Sequence, residues 1–252
     1  GVWNLLSIVG PLICKFFSVK YIISPHGMLI PHLIDLKSSR MKALVIKFFH
    51  KSNLKNAYKV HFTVTEEFNE TSIAIKTEVN PLIFPLFFDL KRFDNDLEDI
   101  NQHFFKNKIT LSFIGRITPK KRIDLIFKAL QILPDSYKEK IRFNVIGPDA
   151  ENIWKKNEYN KEKTGVEINY YGALYDKKLI EAYKECDVFI LCSESENFAI
   201  SVIEAAYSYS AILISQEVGV SEYFSQESAF FSSAKYNDIC SSISWIIENK
   251  EL

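Results

Sequence analysis

Glycine and proline are scarce, eight of each in 252 residues, which leaves little material for long flexible or proline-rich linkers. Cysteine is scarcer still. Cys14, Cys186, Cys192 and Cys240 lie far apart and form no C-x-x-C pair. A structural zinc site calls for closely spaced ligand pairs, and a chain of this size needs no disulfide staples, so the four read as reduced cytosolic thiols. No charge of one sign prevails: thirty-one Lys and Arg balance thirty-one Asp and Glu. Nucleic-acid-binding domains are usually strongly basic, so no nucleic-acid partner is expected. Long apolar runs are missing too. The longest, Leu5 to Phe17, is interrupted by Ser7 and Lys15 and falls short of the roughly 20 residues a spanning helix needs. Also absent are a P-loop, a G-x-G-x-x-G fingerprint, a nucleophile elbow and a Ser–His–Asp arrangement.

What is present is core-building material, 47% hydrophobic and 14% aromatic. Short apolar, β-branched or aromatic runs alternate with longer segments of helical period. Strands are expected at 20–24, 59–65, 81–85, 109–115, 141–147, 166–172, 187–192, 211–215 and 229–231. Helices are expected at 4–17, 39–55, 66–75, 121–133, 151–160, 176–185, 199–209 and 236–248. Strand followed by helix, repeated, predicts an α/β protein with parallel sheets. Near-continuous apolar strands such as 187–192 suit positions buried on both faces. The charged stretch 89–99 separates two strand–helix series. The expected organisation is a first Rossmann-like domain over 1–92, incomplete with three strands, a linker over 93–107, and a second Rossmann-like domain over 108–252.

Four constellations carry chemistry. In Gly115-Arg-Ile-Thr-Pro-Lys-Lys121 a strand ends and a helix follows. In open α/β sheets ligands bind beyond the carboxyl ends of strands, and Arg116 and Lys121 near a helix N-terminus suit a diphosphate. An ordinary turn with solvated basic side chains stays open. In Glu196-Asn-Phe-Ala-Ile-Ser-Val-Ile-Glu204 seven residues separate two glutamates. One lies just before a helix and the other inside it, so both carboxylates can border a cleft and accept hydrogen bonds from vicinal hydroxyls. Glu196 has a simpler explanation as an acid at a helix start. In Ser24-Pro-His-Gly-Met-Leu29 a strand delivers His26 to its carboxyl edge, where a purely structural role also stays open, whereas His32, His50, His61 and His103 sit in no comparable setting. Finally, Lys37, Arg40, Lys42, Lys47, Lys51, Lys55 and Lys59 flank Met41, Leu44, Val45 and Phe48 with no acid between them. That pattern fits a basic amphipathic helix on an anionic membrane or simply a solvated face.

Together the three short segments resemble family-four retaining glycosyltransferases (glycosyl transferases group 1) of the polysaccharide-assembly type. The resemblance implies a GT-B fold and transfer of a hexose-type sugar from a nucleotide-diphosphate sugar to a polysaccharide or lipid-linked acceptor, with retention of configuration. It implies that Arg116 and Lys121 hold the diphosphate. Glu196, with the backbone at Phe198, Ala199 and Ile200, holds the donor sugar, and Glu204 holds the ribose. His26 and Glu196 become the catalytic candidates, His26 approaching from the other domain. No metal or resident cofactor is expected; the nucleotide sugar is the co-substrate. The setting implied is capsule or lipopolysaccharide synthesis in the cytoplasm, with peripheral docking on the inner membrane face. The chain departs from the family at Arg122 and Ala199, where glycine is usual, and at Tyr209 and Ala211, where Gly and Pro are common. Members usually carry more chain before the strand ending at Ser24 and further closing helices, so a fragment lacking N-terminal strands is expected. The rival readings are a non-catalytic nucleotide-sugar-binding module and, less well supported, a nicotinamide-dependent oxidoreductase, which lacks its glycine fingerprint.

Overall fold

In a computed structural model of the chain, residues 2–31, 34, 39–87, 89–91, 93, 108–157 and 159–249 are described. His32, Lys37, His103 and, apart from Phe93, the linker expected over 93–107 lie outside them. The chain divides into two compact units, Gly1–Phe87 and Phe88–Leu252.

The first unit holds three parallel strands in the order β1 (Ile22–Ile23), β2 (Lys59–Phe62), β3 (Pro81–Ile83). Val60 and Phe62 on β2 are fully buried and pack with Leu29, Leu54 and Ile75. The helix Leu5–Phe16 buries none of its residues. It is tied inward by Asn53, whose Nδ2 donates to the Ile8 carbonyl at 3.0 Å. The expected single helix over 39–55 changes pitch: Ser39–Val45 and Lys51–Lys55 are α-helical, while Ile46–His50 widens to a π-helix. Hydrophobic period alone does not distinguish the two windings.

The second unit is a six-stranded, all-parallel sheet in the order β6-β5-β4-β7-β8-β9. The strands are β4 (Ile109–Ile114), β5 (Ile141–Ile146), β6 (Glu167–Gly172), β7 (Val188–Leu191), β8 (Ala211–Ser215) and β9 (Phe230–Ser232). All of β7 and nearly all of β4, β5 and β8 are buried, as expected of parallel strands covered on both faces. The helix Ile123–Ile132 buries Ile123, Leu125, Ile126, Phe127, Ala129 and Leu130 along one broad face. The helix expected over 151–160 is instead two short ones, Ile153–Asn157 and Lys161–Thr164. Asn160 starts the second by accepting the Lys163 N–H at 3.1 Å. The sheet begins at β4, steps outward to β5 and β6, then returns to the other side of β4 for β7, β8 and β9. The direction of winding therefore reverses between β4 and β7, the place where doubly wound sheets open a crevice at their carboxyl edge.

Candidate functional site

Two segments leave the sheet at that reversal. From β4 the chain passes Gly115, Arg116 and Thr118, makes a 3-10 turn at Pro119–Lys121, and enters the helix at Ile123. From β7 it runs through Ser193 to Ala199 and enters the helix Ile200–Tyr207. The two are stitched together. Lys121 Nζ lies 2.5 Å from Glu196 Oε2, Ser193 Oγ donates to the Lys120 carbonyl at 2.9 Å, and the Glu194 N–H donates to the same carbonyl at 3.2 Å. On its other side the loop pairs with 217–219: the Glu196 N–H donates to the Glu217 carbonyl, and the Gly219 N–H to the Glu196 carbonyl at 2.8 Å.

Residues assigned to separate jobs by resemblance thus touch each other. Lys121 and Glu196 neutralise one another with side chains only 13% and 23% exposed, so each is partly withdrawn from water. Arg116 differs: it is exposed, and its guanidinium makes no hydrogen bond or ion pair among the described residues. Ala199 precedes the helix at φ 58°, ψ 70°, and no side chain caps that helix start. The first amides of a helix have no intrahelical acceptor and favour anions. Phe198 and Ala199 are buried and Ile200 is exposed. Glu204 is buried, and its Oε2 accepts the Tyr183 hydroxyl at 2.7 Å. Tyr183 is itself buried against the ring edge of Phe93.

Arg122 carries no role in the sequence reading, yet it joins both turns. Its Nε and a terminal nitrogen fork onto Asp124 at 2.9 and 3.1 Å, and its other terminal nitrogen is paired with Glu194. The bond to Asp124 raises the guanidinium pKa further. The backbone at Arg122 is left-handed, φ 48°. Glycine usage in the resemblance was the available signal: Arg122, Ala199 and Tyr209 all stand at positive φ, where an L side chain is disfavoured.

In the first unit the turn after β1 presents His26, exposed and also left-handed at φ 52°. Beneath it lies His61, its ring centroid 6.2 Å away, contrary to the expectation that His61 has no comparable setting. Ser24 Oγ is 3.0 Å from His61 Nδ1, and the Phe84 carbonyl is 2.9 Å from Nε2. A carbonyl can only accept, so Nε2 carries a proton, and in the neutral ring Nδ1 accepts from the serine. Glu67, missed from the sequence, is buried and fixes the same turn. Its Oε1 accepts the Gly27 N–H at 2.5 Å, while Oε2 accepts the N–H and hydroxyl of Thr63 at 2.8 and 2.9 Å. The available signal was an acid in the first turn of a helix. Among the described residues, no group of three or more His, Cys, Asp or Glu could hold a metal ion.

A family model described as glycosyl transferases group 1 matches residues 95–252. The chain belongs to that family. Relatives similar in sequence include the N,N'-diacetylbacillosaminyl-diphospho-undecaprenol alpha-1,3-N-acetylgalactosaminyltransferase of Campylobacter jejuni. It is 24% identical over 227 residues, 88% of this chain and 57% of that protein. An uncharacterised 41.2 kDa protein in the cps region of Klebsiella pneumoniae is 31% identical over 100 residues, 40% of this chain and 25% of its own. This chain spans between 21% and 57% of the curated relatives it matches. Among solved structures, Anabaena HepE in complex with UDP superposes with TM-score 0.78 at 15% identity, covering 97% of this chain and 67% of that one. WaaG, a glycosyltransferase involved in lipopolysaccharide biosynthesis, gives 0.71 at 16% identity, covering 87% and 61%. These likenesses establish the GT-B fold.

Proposed function

We propose that the chain is part of a glycosyltransferase that moves a hexose-type sugar from a nucleotide-diphosphate sugar to a polysaccharide or lipid-linked acceptor, with retention of configuration. The observation that carries this reading is the junction of the Arg116–Lys121 turn with the Glu196 loop at the switch point of the second sheet. In this reading residues 108–252 bind the donor and 1–92 form part of the acceptor side. Breaking the bond from the sugar to the diphosphate leaves negative charge on the departing phosphate. Arg116 and Lys121 neutralise that charge as it develops, and the helix start at Ala199 and Ile200 adds its amides. Glu196 orients the sugar, Glu204 accepts the ribose hydroxyls, and His26 serves the acceptor side. HepE was solved with UDP, which makes UDP the first probe here.

Binding is tested by thermal shift with UDP, GDP and ADP in the presence of a chelator, because the reading needs no metal. A ligand at a hundredfold its Kd stabilises by about 2.7 kcal/mol, roughly 5–10 °C for a unit of this size. No shift with any of the three at millimolar concentration refutes the donor site. Binding without release of sugar from any nucleotide sugar would favour the binding-module reading.

A second feature supports docking on an anionic membrane from the cytoplasmic side. Leu6 and Phe16 of the first helix are 78% and 82% exposed, and Met41 and Phe48 are each 63% exposed. They share the first unit with Lys15, Arg40, Lys42, Lys47 and Lys51. Apolar side chains beside lysines bind anionic bilayers. No helix among the described residues is long and apolar enough to cross a membrane. Sedimentation with phosphatidylglycerol vesicles but not phosphatidylcholine vesicles is expected; equal recovery from both refutes docking.

A further inference from the structure

Two ion pairs join the turn after β4 to the loop after β7, and they differ in what a bound diphosphate would do to them. Lys121 is a compact point charge. A diphosphate at Lys121 competes directly with Glu196 for the one ammonium group. The Arg122–Glu194 pair lies outside the groups assigned to the donor. We propose that Arg122 is a positioning residue, fastening the Glu196 loop to the Lys121 turn so that the loop keeps its place when the donor draws Lys121 away from Glu196. The functional consequence rests on the donor-site reading above; the fastening itself stands on the geometry of the second unit.

Three observations converge on this role. First, the backbone at Arg122 is left-handed, φ 48° and ψ 41°, a conformation that favours glycine. A long cationic side chain is a poor choice there unless its contacts matter. Second, those contacts divide the guanidinium cleanly. Nε and one terminal nitrogen fork onto Asp124, two residues on in the same turn. That fork fixes the plane of the group, and the remaining terminal nitrogen meets Glu194. Arginine can fork onto one carboxylate and meet the other from a separate nitrogen; lysine, with a single nitrogen, cannot form the fork. Third, Glu194 lies two residues before Glu196, and two neutral ties of this loop to the turn, from Ser193 Oγ and the Glu194 N–H, end on the Lys120 carbonyl. The Arg122 pair therefore adds a charged tie close to the residue to be positioned.

A side chain that served only stability would lower melting temperature and loop order together when removed. A positioning arginine on a left-handed backbone separates them. Arg122→Gly relieves the backbone while cutting the tie, and Arg122→Asn does the same without glycine's freedom. Glu194→Gln removes the negative charge of the tie from the other side and leaves residue 122 untouched. The experiment is hydrogen exchange on the full chain, wild type and variants, followed by UDP titration. All three substitutions are expected to speed amide exchange in 193–198 at least fivefold without ligand, with the melting temperature of Arg122→Gly unchanged or raised. UDP affinity should fall about fivefold in each, and Arg122→Gly combined with Glu194→Gln should be no worse than either alone. Unchanged loop exchange in the variants, or effects that multiply in the double variant, overturns the proposal. If wild type binds none of UDP, GDP or ADP, the donor reading falls while the exchange data still decide the fastening.

Discussion

Gly147 tests whether the carboxyl edge of the second sheet is as tightly built as its geometry implies. It follows β5 at φ +145°, a conformation L side chains rarely adopt, and a Cβ there would sit 1.8 Å from the Gly115 carbonyl oxygen and 2.6 Å from its carbon. Cβ contacts essentially never fall below 3.0 Å, so Gly147→Ala must push the two backbones apart by more than about 1 Å. Neither side moves easily. The Gly115 N–H is bonded to the Ile146 carbonyl at 2.8 Å, Ile117 N–H to Pro148 at 2.9 Å, and Gly147 N–H to Gly172 at 2.7 Å. Overpacking costs about 1–3 kcal/mol and the backbone conformation a similar amount, together about 2–6 kcal/mol. That corresponds to a melting temperature lower by on the order of 10 °C. The displaced atoms carry Arg116, so UDP affinity should fall at least tenfold. Gly172→Ala separates the two contributions, because φ is +67° but nothing lies within 4 Å of its Cβ; it should cost about 1 kcal/mol. The assays are urea denaturation and calorimetry with UDP. A Gly147→Ala protein with unchanged midpoint and unchanged affinity would refute the close approach and the placement of Arg116 that depends on it.

Three further outcomes follow from the same edge. Ala199→Gly removes the Cβ strain at φ 58°, about 1–2 kcal/mol, partly offset by glycine's greater freedom when unfolded; a rise of about 2 °C by calorimetry is expected, and a fall contradicts the left-handed helix start. Because Glu196 occupies Lys121 in the free protein, Glu196→Gln should leave UDP binding equal or tighter while weakening UDP-glucose, and parallel losses for both ligands argue against a sugar role for Glu196. Burial pushes the thiols of Cys186 and Cys192 up to about 11 and about 12. Their raised folded values stabilise the native state below the unfolded thiol pKa, and that contribution is lost progressively as pH rises from about 9 through 11–12. Urea midpoints should therefore fall from pH 8 to pH 10, with Cys186 and Cys192 inert to Ellman's reagent in the native protein at pH 8 while the half-buried Cys14 and Cys240 are free to react; rapid labelling of both buried thiols refutes their burial.

The parallel sheets were legible because buried parallel strands write themselves as short, nearly unbroken apolar runs. Ile109–Ile114 and Val188–Leu191 could hardly be read otherwise. The two turns of the candidate site were legible from residue type at strand ends. What escaped the sequence were contacts between distant segments. Lys121 and Glu196 were assigned to different parts of a ligand, and nothing in their spacing announces a 2.5 Å ion pair. His61 looked isolated because its partners, Ser24 and Phe84, lie on the turns after the neighbouring strands. Glu67 is one of two acids in the first turn of its helix, and only the structure shows that it is the buried one and holds the His26 turn. The π-helix at Ile46–His50 escaped for a different reason: over five residues its period cannot be told from that of an α-helix.

Three of the five non-glycine residues at positive φ among the described residues of the second unit explain how a glycine-poor chain keeps a family shape. Arg122, Ala199 and Tyr209 have positive φ, and at or near each the resemblance expects glycine. The backbone path there is set by its neighbours rather than by the residue itself. Arg122 must link a 3-10 turn to a helix that is buried along one face, and Ala199 must start a helix directly behind a buried loop. Tyr209 turns the chain between that helix and β8, with the Tyr209 N–H bonded to Ala206 and the Ser210 hydroxyl to Cys186. Each local penalty, of order 1–3 kcal/mol, is small beside the burial of four to six side chains from the adjoining strand or helix, each worth about 1.5–3 kcal/mol. Core packing can therefore hold the turns in shape without glycine. Two of the three strained residues then sit at the start of helices that flank the Lys121–Glu196 pair. Strain at Arg122 and Ala199 is thus held where the two motif segments meet, and it is there that a bound nucleotide would find the backbone already arranged.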